Sequence, residues 1–309
     1  MRFFSRRYYQ AFVIICGLAV SLLPRQSLPA QDMAVSQVLI DGEGWQLLGE
    51  GYKFTEGPAV DRTGNVYFTD IPNNRIYRID LDGKVELFVE NTANTNGLMV
   101  GPDDRIYGCR NGDKQIVAYD AEGKMEVIAS GMTSNDLVVT SKGAIYFTDP
   151  PNDQVGYISP EKEVRIVAKD VHPNGVIMWP DEGTLVVTER ESPHLWTYRI
   201  EADGSLTNRE RYYHPLQLRS DSKTPGSDGM TVDRDYRLYV TTRIGLQMFD
   251  PTGRLGGTIA KPQNASLANV CFGGPEMSYL YATCTDKVYR RKTKTAGAPY
   301  FLRAGGKKE

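Results

Sequence analysis

A short figure recurs along this chain at intervals close to 40 residues. Each copy opens on a polar residue, and 11 or 12 residues later it reaches an apolar, strand-like run. The opening residues are Glu56, Asn96, Asn135, Asn174, Asp228 and Asn269. The matching run positions are Tyr67, Tyr107, Tyr146, Val186, Tyr239 and Tyr281. Successive openers lie 40, 39, 39, 54 and 41 residues apart. Unit one offers four strand candidates, near 59–61, 66–69, 75–79 and 85–89. Periods of about 40 residues with several short strands per unit mark a β-propeller. Six units therefore predict an all-β, six-bladed β-propeller. Turn sequences such as Asp61-Arg62-Thr63-Gly64, Leu81-Asp82-Gly83 and Ala202-Asp203-Gly204 separate alternating runs and support hairpins. No segment sustains helical apolar spacing, so helix is expected to be scarce.

The last unit holds only three strand candidates, near 270–272, 280–283 and 287–290. The stretch 45–48 can supply its missing outer strand. The ring is then closed by an N-terminal strand, which removes two open sheet edges. This gives a propeller over residues 45–303, preceded by a linker at 31–44 and followed by a tail at 304–309. The longest interval, between units four and five, carries its excess in residues 201–228. That stretch ends at Asp228, so it is either a lid over the channel mouth or a plain surface insertion.

In a propeller the first strand of each blade lines the central channel, so the six openers are expected to ring one mouth. Two are carboxylates, Glu56 and Asp228, and four are amides. All offer oxygen. Oxygen donors with two negative charges suit a hard divalent cation, Ca²⁺ first, with Mg²⁺, Mn²⁺ and Zn²⁺ as alternatives. The plainer explanation is that Asn and Asp sit there as turn residues.

Residues 1–30 read as an export signal. Arg2, Arg6 and Arg7 precede an apolar run at 11–23, and a cleavage region ends at Ala30. The run is short for a membrane span, and Ser5-Arg6-Arg7 loosely resembles a twin-arginine signal. A periplasmic or secreted protein without stable membrane association after cleavage is expected. Removing the leader takes away four arginines and no acid, moving the formal net charge from −2 to −6. An acidic body argues against nucleic acid as a partner, and a monomer or weak oligomer is expected. Besides Cys16 there are Cys109, Cys271 and Cys284. An odd number without a pairing pattern predicts buried thiols rather than a disulfide framework.

The openers sit within the motifs Glu56-Gly57-Pro58, Asn96-Gly97-Leu98, Ser134-Asn135-Asp136-Leu137, Pro173-Asn174-Gly175, Ser227-Asp228-Gly229-Met230 and Asn269-Val270-Cys271-Phe272. In this order and spacing they resemble the senescence marker protein / gluconolactonase / luciferin-regenerating enzyme family, over residues 56–289. The resemblance implies a six-bladed propeller with a divalent cation, usually calcium, at the channel mouth. The family's ligand motifs match Glu56, Asn135, Asn174 and Asp228, which leaves Asn96 and Asn269 to support the site or face substrate. One motif departs. Bacterial gluconolactonase-like members often read Asn-Ser-Pro-Asn-Asp where this chain has Met132-Thr133-Ser134-Asn135-Asp136. The family's relatives also include diisopropyl fluorophosphatase-like phosphotriesterases, some with a histidine at the mouth. His172, His194 and His214 are not openers here. His172 lies two residues before Asn174 and is the one placed to approach the pocket.

The chemistry this implies is hydrolysis of a small-molecule sugar lactone, as in gluconolactonase. A cation polarises the carbonyl and a carboxylate helps water attack. Asp228 is the first candidate base and Asp136 the second, with a turn anchor as the other role for Asp136. Second-strand exits supply Arg110, Arg190 and Arg243, whose planar donor forks suit a sugar hydroxyl or carboxylate. Two of the three are expected to pair instead with Asp70, Asp149 or Glu189 as scaffold. The alternatives are an organophosphate or other ester hydrolase on the same platform, and a non-catalytic binding propeller.

Overall fold

The structure is a computed structural model and describes residues 34–298. The export signal at 1–30 and the tail at 304–309 lie outside the described residues. So do the ends of two further assignments, 31–33 of the linker and 299–303 of the propeller domain.

Alternating apolar runs and Asp-anchored turns build six four-stranded antiparallel sheets. Blade one is Thr55–Val60, Val66–Asp70, Arg75–Ile79 and Val85–Glu90. Its first turn is held by Asp61, whose Oδ1 accepts from the N–H groups of Thr63 and Asn65. Asp80, Asp120 and Asp250 cap later hairpins in the same way, the local bonding that suits Asp to turns. The inner strands of blades two to six are Thr95–Val100, Leu137–Val139, Pro173–Met178, Met230–Val232 and Asn269–Gly273. No α-helix occurs among the described residues, only short 3₁₀ turns such as Pro150–Asn152.

Burial falls from the hub outward. The second strands Val66–Asp70, Ile145–Asp149 and Leu238–Thr242 are buried throughout, whereas the outer strands Val164–Lys169 and Leu206–Glu210 are mostly exposed. The repeated run positions Tyr67, Tyr107, Tyr146, Val186, Tyr239 and Tyr281 are all buried, and they join hydrophobic clusters within and between the blades. Several of these tyrosines place their hydroxyls on acceptors, among them Tyr107 on Asp103 at 3.0 Å, Tyr146 on the Gly204 carbonyl at 3.0 Å and Tyr239 on Asp233 at 2.8 Å. Cys109, Cys271 and Cys284 are free and buried.

Blade six is closed from the other end of the chain. Gln46–Glu50 pairs antiparallel with Lys287–Lys292, and Lys287 Nζ meets Glu50 Oε2 at 2.7 Å. The closing strand therefore starts one residue later and runs two residues further than 45–48. The preceding stretch is not a loose linker. Val38 is fully buried in the cluster around Tyr239, Leu246 and Leu280, and its carbonyl accepts from the Lys294 N–H. Val38 opens the short apolar run Val38-Leu39-Ile40, and Val35 and Leu39 pack against the same cluster.

The insertion is also more settled than its sequence suggests. Leu206–Glu210 becomes the fourth strand of blade four, so the extra chain is 211–229. Within it Tyr213 and Leu216 are buried, and Gln217 exchanges two hydrogen bonds with the Gln247 amide. Its first half is thus packed against blade five, and its end forms part of a cavity wall described below.

Deleting residues 31–50 removes the closing strand and the Val38 contact. Burial of that side chain and the strand edge corresponds to a loss of about 3 kcal/mol. For a domain this size that is a fall in Tm of roughly 6–12 °C, measurable by scanning calorimetry. An unchanged Tm would mean the ring closes without this segment.

Candidate functional site

The site begins with strand register. In blades one to five, the residue paired with each run position lies three after the opener: Ala59 with Tyr67, Met99 with Tyr107, Val138 with Tyr146, Ile177 with Val186 and Thr231 with Tyr239. In blade six Cys271 pairs with Tyr281, so the equivalent opener is Ala268 and not Asn269. Inter-blade hydrogen bonds agree. Thr69, Thr148 and Thr241 donate their hydroxyls to the carbonyls of Asn96, Asn174 and Ala268. The N–H groups of Asp136, Gly175 and Asn269 all donate to a threonine hydroxyl one strand away. The expected ring of six polar openers is therefore five polar residues and one alanine. The blade-six hairpin is one pair longer, with Phe272 opposite Leu280 and Gly273 opposite Tyr279. That extra length masks the slip in the sequence.

Asn269 and Asp136 thus share the position that Gly57, Gly97, Gly175 and Gly229 occupy elsewhere. This position faces the next blade at close range. A Cβ on Gly97 would overlap Asp136, and one on Gly229 would overlap the Asn269 amide. Gly57 has a further reason to be glycine. Its φ is +51°, and a Cβ would run into the Asn96 carbonyl.

Above this layer the openers surround a cavity of about 610 Å³, whose walls include Glu56, Asn96, Asn135, Asn174, Arg190 and Asp228. All four residues matched to ligand motifs are therefore brought to one place. Thr133 and Ser134 of the departing motif also line it, as do Phe54 and Asn111, which were not singled out in the sequence. Asn111 lies four residues past the run position Tyr107, a register that marks the mouth in other blades too. Asp136 and Asn269 instead line a smaller cavity of about 120 Å³ behind the ring, among Leu98, Met99, Ile177 and Phe272.

Three acids lie near one another here, Glu56 and Asp228 on the mouth cavity and Asp136 on the one behind it. Burial pushes Glu56 up to about 7. The Gly57 N–H at 2.7 Å and the Asn269 amide at 3.1 Å both donate to its Oε2 and oppose the shift. Burial likewise raises Asp136 to about 6, opposed first by the Leu137 N–H. Asp228 is raised well above the ordinary carboxylate range by burial, and then by the charges of Glu56 and Asp136, with Asn174 and Arg190 opposing. Buried like charges are costly unless paired. Among the described residues no three His, Cys, Asp or Glu side chains are grouped as a metal cage. The oxygen set here mixes Glu56 and Asp228 with the amides of Asn135 and Asn174. Such a set fits a hard divalent cation, whose charge would offset that of the clustered acids.

The other sequence candidates divide. Arg110 is tied into the scaffold by Asp113 at 2.8 Å and the Asn91 carbonyl at 3.0 Å. His172 lies beside Glu189, Glu191 and Asp153 at 3.5–3.8 Å and lines neither mouth cavity. Arg190 lines the cavity above, and Arg243 lines an adjoining cavity of about 390 Å³. Only one of the three arginines, not two, is scaffold. The acids expected to pair with them are occupied by other donors. Asp70 accepts from the Lys53 and Phe54 N–H groups, Asp149 from Asn152 and Gln154, and Glu189 from Trp196.

Comparison with known proteins gives a consistent picture. The model of the SMP-30/Gluconolactonase/LRE-like region matches residues 54–286. A gluconolactonase of Zymomonas mobilis subsp. mobilis is 26% identical, with 82% of each chain covered. A lactonase, drp35, of Staphylococcus haemolyticus is 29% identical over 65% of this chain and 67% of its own. A solved gluconolactonase structure from Xanthomonas campestris superposes with a TM-score of 0.74 at 26% identity, covering 84% of this chain and 92% of the other.

The contact between Gly229 and Asn269 can be tested directly. Gly229→Ala should displace the amide that holds Glu56 and destabilise the protein by about 1–3 kcal/mol, the usual cost of overpacking. Gly44→Ala, which meets nothing within 4 Å, should stay within about 0.5 kcal/mol. Denaturant unfolding of both variants separates these outcomes, and equal stabilities would remove the contact from the account.

Proposed function

This chain belongs to the SMP-30/Gluconolactonase/LRE-like family, and we propose that it hydrolyses a sugar lactone at the channel mouth with the help of a bound divalent cation. The observation that carries this reading is the convergence of Glu56, Asn135, Asn174 and Asp228 on one cavity. The names of the similar proteins, gluconolactonase and lactonase, support the substrate class.

Glu56, Asn135, Asn174 and Asp228 would hold the cation, Ca²⁺ first on the character of their oxygens. When bound it supplies Lewis-acid polarisation of the lactone carbonyl. Glu56 is fixed for this by the Gly57 N–H and the Asn269 amide, so its role is structural to the site. Asp228 is partly exposed and reaches both mouth cavities. It takes a proton from the attacking water as the oxygen adds to the carbonyl carbon. The ring C–O bond then breaks, and the proton returns from Asp228 to the departing ring oxygen, giving the open hydroxy acid. For Asp228 to serve in this way, one of its oxygens must be free of the cation. Asp136 faces the inner cavity with one oxygen held by the Leu137 N–H, so it tunes the field at Asp228 and does not meet the water. The leader pattern of residues 1–30 supports an exported, periplasmic or secreted enzyme.

The test is hydrolysis of D-glucono-δ-lactone followed by acid release. Chelator should abolish the activity and Ca²⁺ restore it, and Asp228→Ala should lower kcat by about 10²–10⁴-fold. Full activity in chelator, or an unimpaired Asp228→Ala, would overturn the mechanism.

A further inference from the structure

Arg190 and Arg243 occupy the same position in adjacent blades. Each lies four residues past its run position, Val186 and Tyr239, just beyond the end of the second strand. Arg110 lies three past Tyr107, and that one-residue difference turns it toward Asp113 instead of the mouth. Arg190 and Arg243 are both exposed, and both line the cavity of about 390 Å³ that continues from the candidate active site. The two cavities share Phe54, Asn174, Arg190 and Asp228 as walls.

Among the described residues neither guanidinium makes an ion pair or a side-chain hydrogen bond. Arg190 acts on Asp228 through its field, lowering it against the larger effect of burial. Besides Asp228, the acid on this cavity wall is Glu191, which stands 3.7 Å from His172. The insertion seats the second arginine. The Arg243 N–H donates to the Pro225 carbonyl at 2.8 Å, and its side chain lies across Gly226, where a Cβ would leave no room. The extra chain between blades four and five therefore builds one wall of the cavity and orients a cation in it.

Two unpaired guanidinium groups at one cavity edge have a defined chemical complement. Each presents a planar fork of donors that matches a carboxylate or a phosphate. We propose that the preferred lactone carries an anionic group remote from its carbonyl, held between Arg190 and Arg243 while the ring lies over Asp228. This rests on the lactonase reading and narrows it from any sugar lactone to an acid-bearing one.

The experiment compares kcat/KM for D-glucono-δ-lactone, a carboxylate-bearing glucarolactone and 6-phosphoglucono-δ-lactone in the full chain and in Arg190→Ala, Arg243→Ala and Arg110→Ala. The protein should favour one anionic lactone over the neutral one by about 10-fold or more, the scale of a charge-assisted hydrogen bond. Arg190→Ala and Arg243→Ala should each cut that ratio by about 10- to 100-fold, chiefly through KM, and Arg110→Ala should leave the ratio intact. Preference for the carboxylate or for the phosphate tells which anion the pair takes. No preference, or a ratio unchanged in both variants, overturns the proposal while leaving lactone hydrolysis standing. If no lactone is turned over, the lactonase reading fails by itself. Calorimetric binding of glucarate, 6-phosphogluconate and gluconate then decides the anion site without turnover. Tighter binding of an extra-anion compound that is lost in Arg243→Ala supports it, and equal binding of all three overturns it.

Discussion

The most costly feature of this molecule is the crowding of buried Glu56 and Asp136 with partly buried Asp228 within one another's fields. Each is pushed above its ordinary pKa mainly by loss of water, and a protein core does not tolerate such groups without compensation. The surrounding architecture can be understood as that compensation. The Gly57 and Leu137 N–H groups and the Asn269 amide donate to the acids. Arg190 lends positive field at the outer edge. The remaining imbalance is the physical reason for assigning a divalent cation to the oxygens of the mouth.

That arrangement depends on how closely the inner strands approach. The residue after each opener is where one blade meets the next, and glycine there lets backbone touch backbone. Where glycine is replaced, the side chain has a use: Asp136 supplies charge behind the ring, and Asn269 reaches Glu56 on the adjoining blade. Threonines on the second strands of blades one, three and five tie those blades to the next through opener carbonyls. These inter-blade bonds therefore also help aim the site residues.

Much of this was legible in the sequence because a repeat exposes itself. The period, the polar openers and the buried run positions 11 or 12 residues after them locate every blade, and the missing strand of blade six locates its partner near Trp45. What escaped had specific causes. Ala268 carries no polar atom, so the polar Asn269 beside it took its place in the pattern, and a longer hairpin kept the offset plausible. Arg110 and Arg190 look alike at strand exits, yet a single residue of register separates a scaffold ion pair from a cavity wall. Acids such as Asp70 and Glu189 seemed natural partners for those arginines, but backbone and indole donors claim them first, and such donors leave no mark in a sequence. The run Val38-Leu39-Ile40 lies ahead of the first repeat unit and has no counterpart in the other blades, so the period gave no place to dock it.

The central claim is that the mouth oxygens form one cation site anchored by Glu56. Isothermal titration of Ca²⁺ into chelator-stripped protein, beside Glu56→Gln, tests it most directly. The account predicts saturable binding of one ion per chain, weakened by about 10-fold or more when Glu56 loses its charge. Absence of saturable binding in the native chain, or undiminished affinity in Glu56→Gln, would contradict it.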